Sequence, residues 1–197
     1  MQTPPLVCAQ DWGIPGLNYY FINRQRKNIS LEELAAVGIV DDKSYVHCDL
    51  IVPLLWVIAQ LTPHGYSILL EDAYRSPATY ELARRKLVTQ EGEEVARRLF
   101  NMADMPHATA RAIDLSLIDS ATGQKVWLRN DGRDGLEAKF VGFYQDREDE
   151  ESRLYQQRQD LLHDIMQRAG FVFGSKREIW HFELPESITQ NGIWVPS

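Results

Sequence analysis

Apolar residues recur at helical spacing in three parts of the chain and at alternate positions in two others. Residues 50–62 (LIVPLLWVIAQLT) are apolar almost throughout, with Pro53 where a helix's first turn tolerates it, and they predict a buried helix. Leu154, Leu161, Leu162, Ile165, Met166 and Ala169 predict a second helix, with Gly170 as its C-terminal stop. Ser76-Pro77 opens a third, carrying Tyr80, Leu82, Ala83 and Leu87, and residues 90–102 read as its continuation in a further helix. Ser30 with Glu33 has the form of a capping box before a short helix. Residues 66–74 (YSILLEDAY) and 110–119 read as strands, and Thr122-Gly123 turns the chain into KVWL. Two short strands, FVF and EIWHFEL, close the pattern. The first 30 residues are rich in Pro, Gly and Asn and read as irregular or edge structure, and residues 129–149 form a long polar connection. Helices come early and strands cluster late, which predicts an α+β fold with a central antiparallel sheet flanked by helices.

Composition narrows the function classes. At 197 residues the chain suits a single domain with a proper core. Its formal net charge of −7, with no basic block, speaks against a nucleic-acid partner. The apolar run at 50–62 falls short of the roughly 20 residues a membrane span needs. The amino terminus lacks the basic and apolar regions of a signal peptide, so the chain as written reads as cytoplasmic; an exported or periplasmic place would require a signal segment removed from it. Cys8 and Cys48 lack metal-ligand spacing and read as two unpaired thiols. Oligomeric state is not legible.

Candidate chemistry lies in MPHATARAIDLSL, residues 105–117, where His107 and Asp114 stand seven apart, and in REIWHFEL, where Glu178 precedes His181 by three. Two imidazoles and one carboxylate are a donor set that zinc takes, with a fourth position kept for water in catalytic sites. Glu178 is the candidate general base and acid beside such a water. Residues three apart on an ideal strand face opposite sides, so Glu178 must stand at the strand's entrance or beside a bulge to serve His181. Arg75, at the end of a strand in DAYRSP, is a candidate for stabilising a developing oxyanion with its planar fork. His47, His64 and His163 read as ordinary structural histidines.

HATARAID resembles the His-x-x-Gly-x-Ala-x-Asp signature of the zinc peptidases that include lysostaphin, the D-alanyl-D-alanine peptidases and the hedgehog domain. EIWHFEL resembles their closing Glu-x-Trp-His segment, and DAYRSP is similar to the Asp-Gly-Tyr-Arg-Pro segment of the D-alanyl-D-alanine dipeptidases. The resemblance runs over about residues 66–185. It implies one zinc per chain on His107, Asp114 and His181, Glu178 as base, Arg75 as transition-state stabiliser, and the α+β zinc fold of that group. It also implies a D-Ala-D-Ala or related cell-wall peptide as substrate. Departures from the pattern are Ala110 at the family's glycine, Met105 at the serine that helps hold the substrate carboxylate, and Asp72-Ala73 at the Asp-Gly pair.

For the substrate's amino group the candidates are Asp131, Asp134 and Glu137 in the polar connection, together with Tyr19 or Tyr20 from the amino-terminal segment. Trp180, between the candidate base and ligand, reads as a core or pocket-wall aromatic and a candidate to touch substrate. Three functions follow: a zinc dipeptidase cutting free D-Ala-D-Ala, a D,D- or L,D-carboxypeptidase trimming peptidoglycan stems, and a zinc-binding module without turnover. A closed pocket with an acid for the amine would mark the first and an open groove the second.

Overall fold

The computed structural model describes residues 5–100, 102–130, 132–174, 177–188 and 194–196, with backbone alone at 98–99. Strand β1 (Leu6–Cys8) leads into short helices α1 (Tyr19–Ile22) and α2 (Leu31–Ala36), and β2 (Tyr45–His47) then pairs antiparallel with β1. Asn18 starts α1 by accepting the amides of Tyr20 and Phe21, and Ser30 and Glu33 form the expected capping box on α2. Helix α3 (Ile51–Leu61) carries Pro53 in its first turn and leads to β3 (Tyr66–Asp72). Ser76 caps α4 (Pro77–Glu91) by accepting the Thr79 amide.

The expected helix over 90–102 is broken. Gly92 adopts φ +92, which L side chains rarely reach, and α5 (Glu93–Leu99) starts after it and ends early. Strand β4 (Ala112–Asp119) is followed by β5 (Lys125–Val126), the long helix α6 (Glu150–Arg168), β6 (Val172–Phe173) and β7 (His181–Glu183). The main sheet has the order β3-β4-β7-β6, with β5 also on β4, and every pairing within it is antiparallel. This is the α+β architecture the periodicity predicts.

One face of the sheet makes the core. Ile68 and Leu70 of β3, Ile113, Leu115 and Leu117 of β4, and Phe182 of β7 pack with Leu54, Val57 and Leu61 of α3 and Leu162, Ile165 and Met166 of α6. Each such side chain contributes about 1.5–3 kcal/mol by leaving water. Because strand side chains alternate, burying Ile113 and Leu115 turns Asp114 and Ser116 to the other face.

The polar connection is tethered. Ile179 N–H donates to the Lys139 carbonyl at 2.9 Å and Val141 N–H to the Arg177 carbonyl at 3.0 Å, with Phe140 opposite Glu178 in an isolated bridge. Ala138, Tyr144 and Tyr155 form a small satellite core beneath it. Both cysteines are free, Cys8 buried and Cys48 exposed. No helix among the described residues is long and apolar enough to cross a membrane.

Candidate metal centre

Sheet register builds the site. Asp114 on β4 stands opposite His181 on β7 and opposite Asp72 on β3, so the three form one row across the sheet. Directly paired residues share a face, with Cβ atoms about 4.5–5.5 Å apart. A bulge between Leu70 and Asp72 sets this row: Leu70 still faces Leu115, but two β3 residues then oppose Asp114 alone. In regular alternation Asp72 would follow Leu70 into the core; the extra residue re-aims it to the site face.

His107 enters from a 3-10 turn over Pro106–Thr109. Its amide donates to the Tyr80 hydroxyl at 3.2 Å and its carbonyl accepts the Arg75 amide at 3.2 Å. Its Nδ1–H donates to the Ala73 carbonyl at 2.9 Å, which leaves Nε2 as the free lone pair, 3.7 Å from Asp114 Oδ1. His181 Nδ1 lies 2.7 Å from the same oxygen, and the two rings meet edge to face at 5.0 Å. One ligand atom from each of His107, Asp114 and His181 lies within 4.8 Å of the others. Two imidazole nitrogens and a carboxylate oxygen, with one imidazole fixed by a backbone carbonyl, fit a borderline divalent ion such as Zn(II).

Burial pushes the His107 imidazole below its ordinary value. Burial opposes ionisation of Asp114, but the two imidazoles together hold its carboxyl below the usual range. Burial also disfavours the charged His181 ring, yet the carboxylates of Asp114 and Glu183 outweigh it and push the group up to about 9.

Arg75 sits at the end of the row. Its guanidinium pairs with the buried Asp72 carboxylate and lies over the rings of Tyr80 at 4.5 Å, Tyr20 at 5.1 Å and Phe100 at 5.9 Å. Arg75 and Asp114 both line a cleft of about 620 Å³, which Tyr19, Tyr20 and Trp180 also line. The Arg129 guanidinium covers the Trp180 ring at 5.0 Å. Glu178 does not line that cleft, and its backbone stands at a break in the segment. The EIWHFEL segment is not one strand: Glu178 holds an isolated bridge, a turn follows, and the His181 amide donates back to the Glu178 carbonyl at 3.2 Å. His163 on α6 pins that turn, donating Nε2–H to the Ile179 carbonyl at 3.1 Å.

Asp134 lies elsewhere. Its carboxylate accepts from Arg133 and from the Tyr144 hydroxyl at 2.7 Å and is nearly buried, so it closes the polar connection and does not line the cleft. Glu137, in a 3-10 turn, does not line it either, and Asp131 lies outside the described residues. The acids that do line it are Glu71, Asp72, Glu91 and Asp114. Sequence reasoning also passed over Tyr80, read as an apolar helix position, and Glu183, whose spacing of two from His181 on a strand was the available signal. A second trio with mutually close ligand atoms, His47, Cys48 and Asp49, exists among the described residues. There the His47 Nδ1 accepts the Asp49 amide and the Asp49 carboxylate pairs with Arg111, so its donors are already engaged.

The departure at Ala110 has a backbone consequence. Ala110 adopts φ +60 where the chain turns from the His107 segment into β4, a conformation costing an L residue about 1–2 kcal/mol that glycine escapes. Ala110→Gly is expected to raise stability by about 1 kcal/mol, read as a higher urea midpoint with an unchanged slope.

The α+β fold thus carries a trio able to hold a metal ion, with one member, Asp114, lining a cleft that the buried Arg75 also lines. The chain belongs to the peptidase family M15, described as D-ala-D-ala dipeptidase, whose model matches residues 39–194. A curated D-alanyl-D-alanine dipeptidase from Synechocystis sp. is 28% identical over 156 residues, covering 64% of this chain; the match spans 62% of that relative's length. Among solved structures, the LdcB LD-carboxypeptidase aligns over 76% of this chain and 66% of its own at 16% identity and a TM-score of 0.49. VanY, a vancomycin resistance D,D-pentapeptidase solved as a point mutant with Zn(II), aligns over 77% and 82% at 12% identity and a TM-score of 0.41.

Proposed function

We propose that this chain is a zinc-dependent peptidase that cleaves D-Ala-D-Ala or a related peptide, with one Zn(II) held by His107 Nε2, Asp114 and His181 Nδ1. The observation that carries this reading is the trio: sheet register sets Asp114 opposite His181, the Pro106–Thr109 turn brings His107 to the same carboxylate, and Asp114 lines a cleft that Arg75 also lines. Membership of a family described as dipeptidase supports the substrate class. When bound, zinc supplies Lewis acidity, polarising a peptide carbonyl and lowering the pKa of water to about 7.

The protein's own groups do the rest. Glu178 takes the proton of the attacking water as its oxygen adds to the carbonyl carbon. The same carboxyl returns that proton to the departing nitrogen as the C–N bond breaks, leaving a carboxylate product and a free amine. The Arg75 guanidinium, held in place by Asp72 and three aromatic rings, faces the charge that grows on the carbonyl oxygen. Trp180 and Tyr19 wall the cleft around the peptide.

The cleft itself favours a second reading, trimming of longer peptidoglycan stem peptides. Its volume of about 620 Å³ exceeds what two alanines require, and Arg26, Lys27, Lys125, Arg129 and Lys139 line it. Such cations suit a substrate with several carboxylates. The test is D-alanine release by the zinc-loaded protein from free D-Ala-D-Ala and from stem tetra- and pentapeptides. Faster release from the dipeptide selects the first reading, and faster release from the stems selects the second. Zinc uptake without hydrolysis of either contradicts both and leaves a metal-binding module.

A further inference from the structure

His181 is flanked by two carboxylates, and only one of them belongs to the trio. Nδ1 faces Asp114 at 2.7 Å; Nε2 faces Glu183 Oε1 at 3.3 Å. Residues 181 and 183 are alternate positions on β7 and share its site face, where Glu183 stands opposite Ala112. That neighbour has only a methyl to offer. On the other side, Gly174 leaves the space that the contact occupies. A Cβ there would lie 2.3 Å from His181 Cδ2, 2.7 Å from Nε2 and 2.9 Å from Glu183 Oε1. The ring and the carboxylate can meet because both flanking positions are small.

We propose that Glu183 is a positioning residue for the metal centre: its carboxylate accepts the Nε2–H of His181 and thereby presents Nδ1, the nitrogen on the Asp114 side, to the ion. This rests on the zinc reading given above. Glu183 is not itself in the set of mutually close ligand atoms, so its action is through the ring. The two imidazoles are thus oriented differently. His107 is fixed by a neutral carbonyl, that of Ala73, and His181 by an anion. An anionic partner fixes the tautomer and makes the ring a stronger donor to a cation.

The test measures zinc affinity by chelator competition for wild type, Glu183→Ala and Glu183→Gln, with the His181 ring tautomer read by long-range proton–nitrogen NMR on the zinc-loaded proteins. Glu183 is over a third exposed in its side chain, so both variants should fold, which the metal-free melting temperature checks. Glu183→Ala is expected to weaken zinc binding by about 10–100-fold. Glu183→Gln, whose amide oxygen can accept the same proton, is expected to recover part of the loss and to keep the proton on Nε2. Wild-type affinity in Glu183→Ala, with Nδ1 still on the metal, overturns this inference while leaving the zinc reading intact. Absence of zinc at the trio in wild type overturns both.

Discussion

Glu178→Ala is expected to keep its zinc and lose turnover by about 10²–10⁴-fold, the contribution typical of a positioned general base. The separation of the two effects is the informative part. Glu178 stands outside the trio of ligand atoms, so removing its carboxylate leaves the donor set complete. Its backbone is held from three sides, by the bridge to Phe140, by the neighbouring Ile179–Lys139 hydrogen bond, and by His163 through the Ile179 carbonyl. None of these uses the Glu178 side chain, so the turn that presents His181 should survive the substitution. Metal content by elemental analysis and kcat at saturating zinc check this. A variant that cleaves at the wild-type rate shows that another group moves the proton.

Arg75→Met should cost the fold as well as the reaction. Arg75 and Asp72 are both largely buried, with side chains 13% and 8% exposed. Methionine would leave the Asp72 carboxylate in that position without its cation, and breaking such a pair from one side costs about 3–5 kcal/mol. The activity loss expected for removing an oxyanion partner is about 10²–10³-fold. Arg75→Lys separates the two. The charge remains near Asp72, so most stability returns, but an ammonium cannot lie flat among Tyr20, Tyr80 and Phe100 or present two aligned donors. Its kcat should stay low while its urea midpoint recovers. Full recovery of kcat in the lysine variant would show that Arg75 acts by charge alone.

The residues proposed to bind metal were legible because their types, order and strand setting are local properties. Asp114 alternates with Ile113 and Leu115, which fixes the face it occupies, and His181 lies in the last apolar strand. The partners were not legible, because they depend on register. Nothing in YSILLEDAY announces that a bulge brings Asp72 beside Asp114. Alternation alone would have sent it into the core. The break between Glu178 and His181 was stated as a geometric requirement, yet its cause, backbone pairing with residues 139–141, comes from a connection with no periodicity to read. Asp134 illustrates the opposite failure. An acid in a polar loop is available in sequence to any cation, and here it is taken by Arg133 and Tyr144. Glu183 offered one signal, its spacing of two from His181, and its meeting with that ring depends on Gly174 across the sheet.

The most direct test of the account is a zinc-edge anomalous difference map from zinc-loaded crystals. The account predicts one strong peak per chain, about 2.0–2.2 Å from His107 Nε2, His181 Nδ1 and an Asp114 carboxylate oxygen. A peak at His47, Cys48 and Asp49 instead, or no peak at either trio, would contradict it.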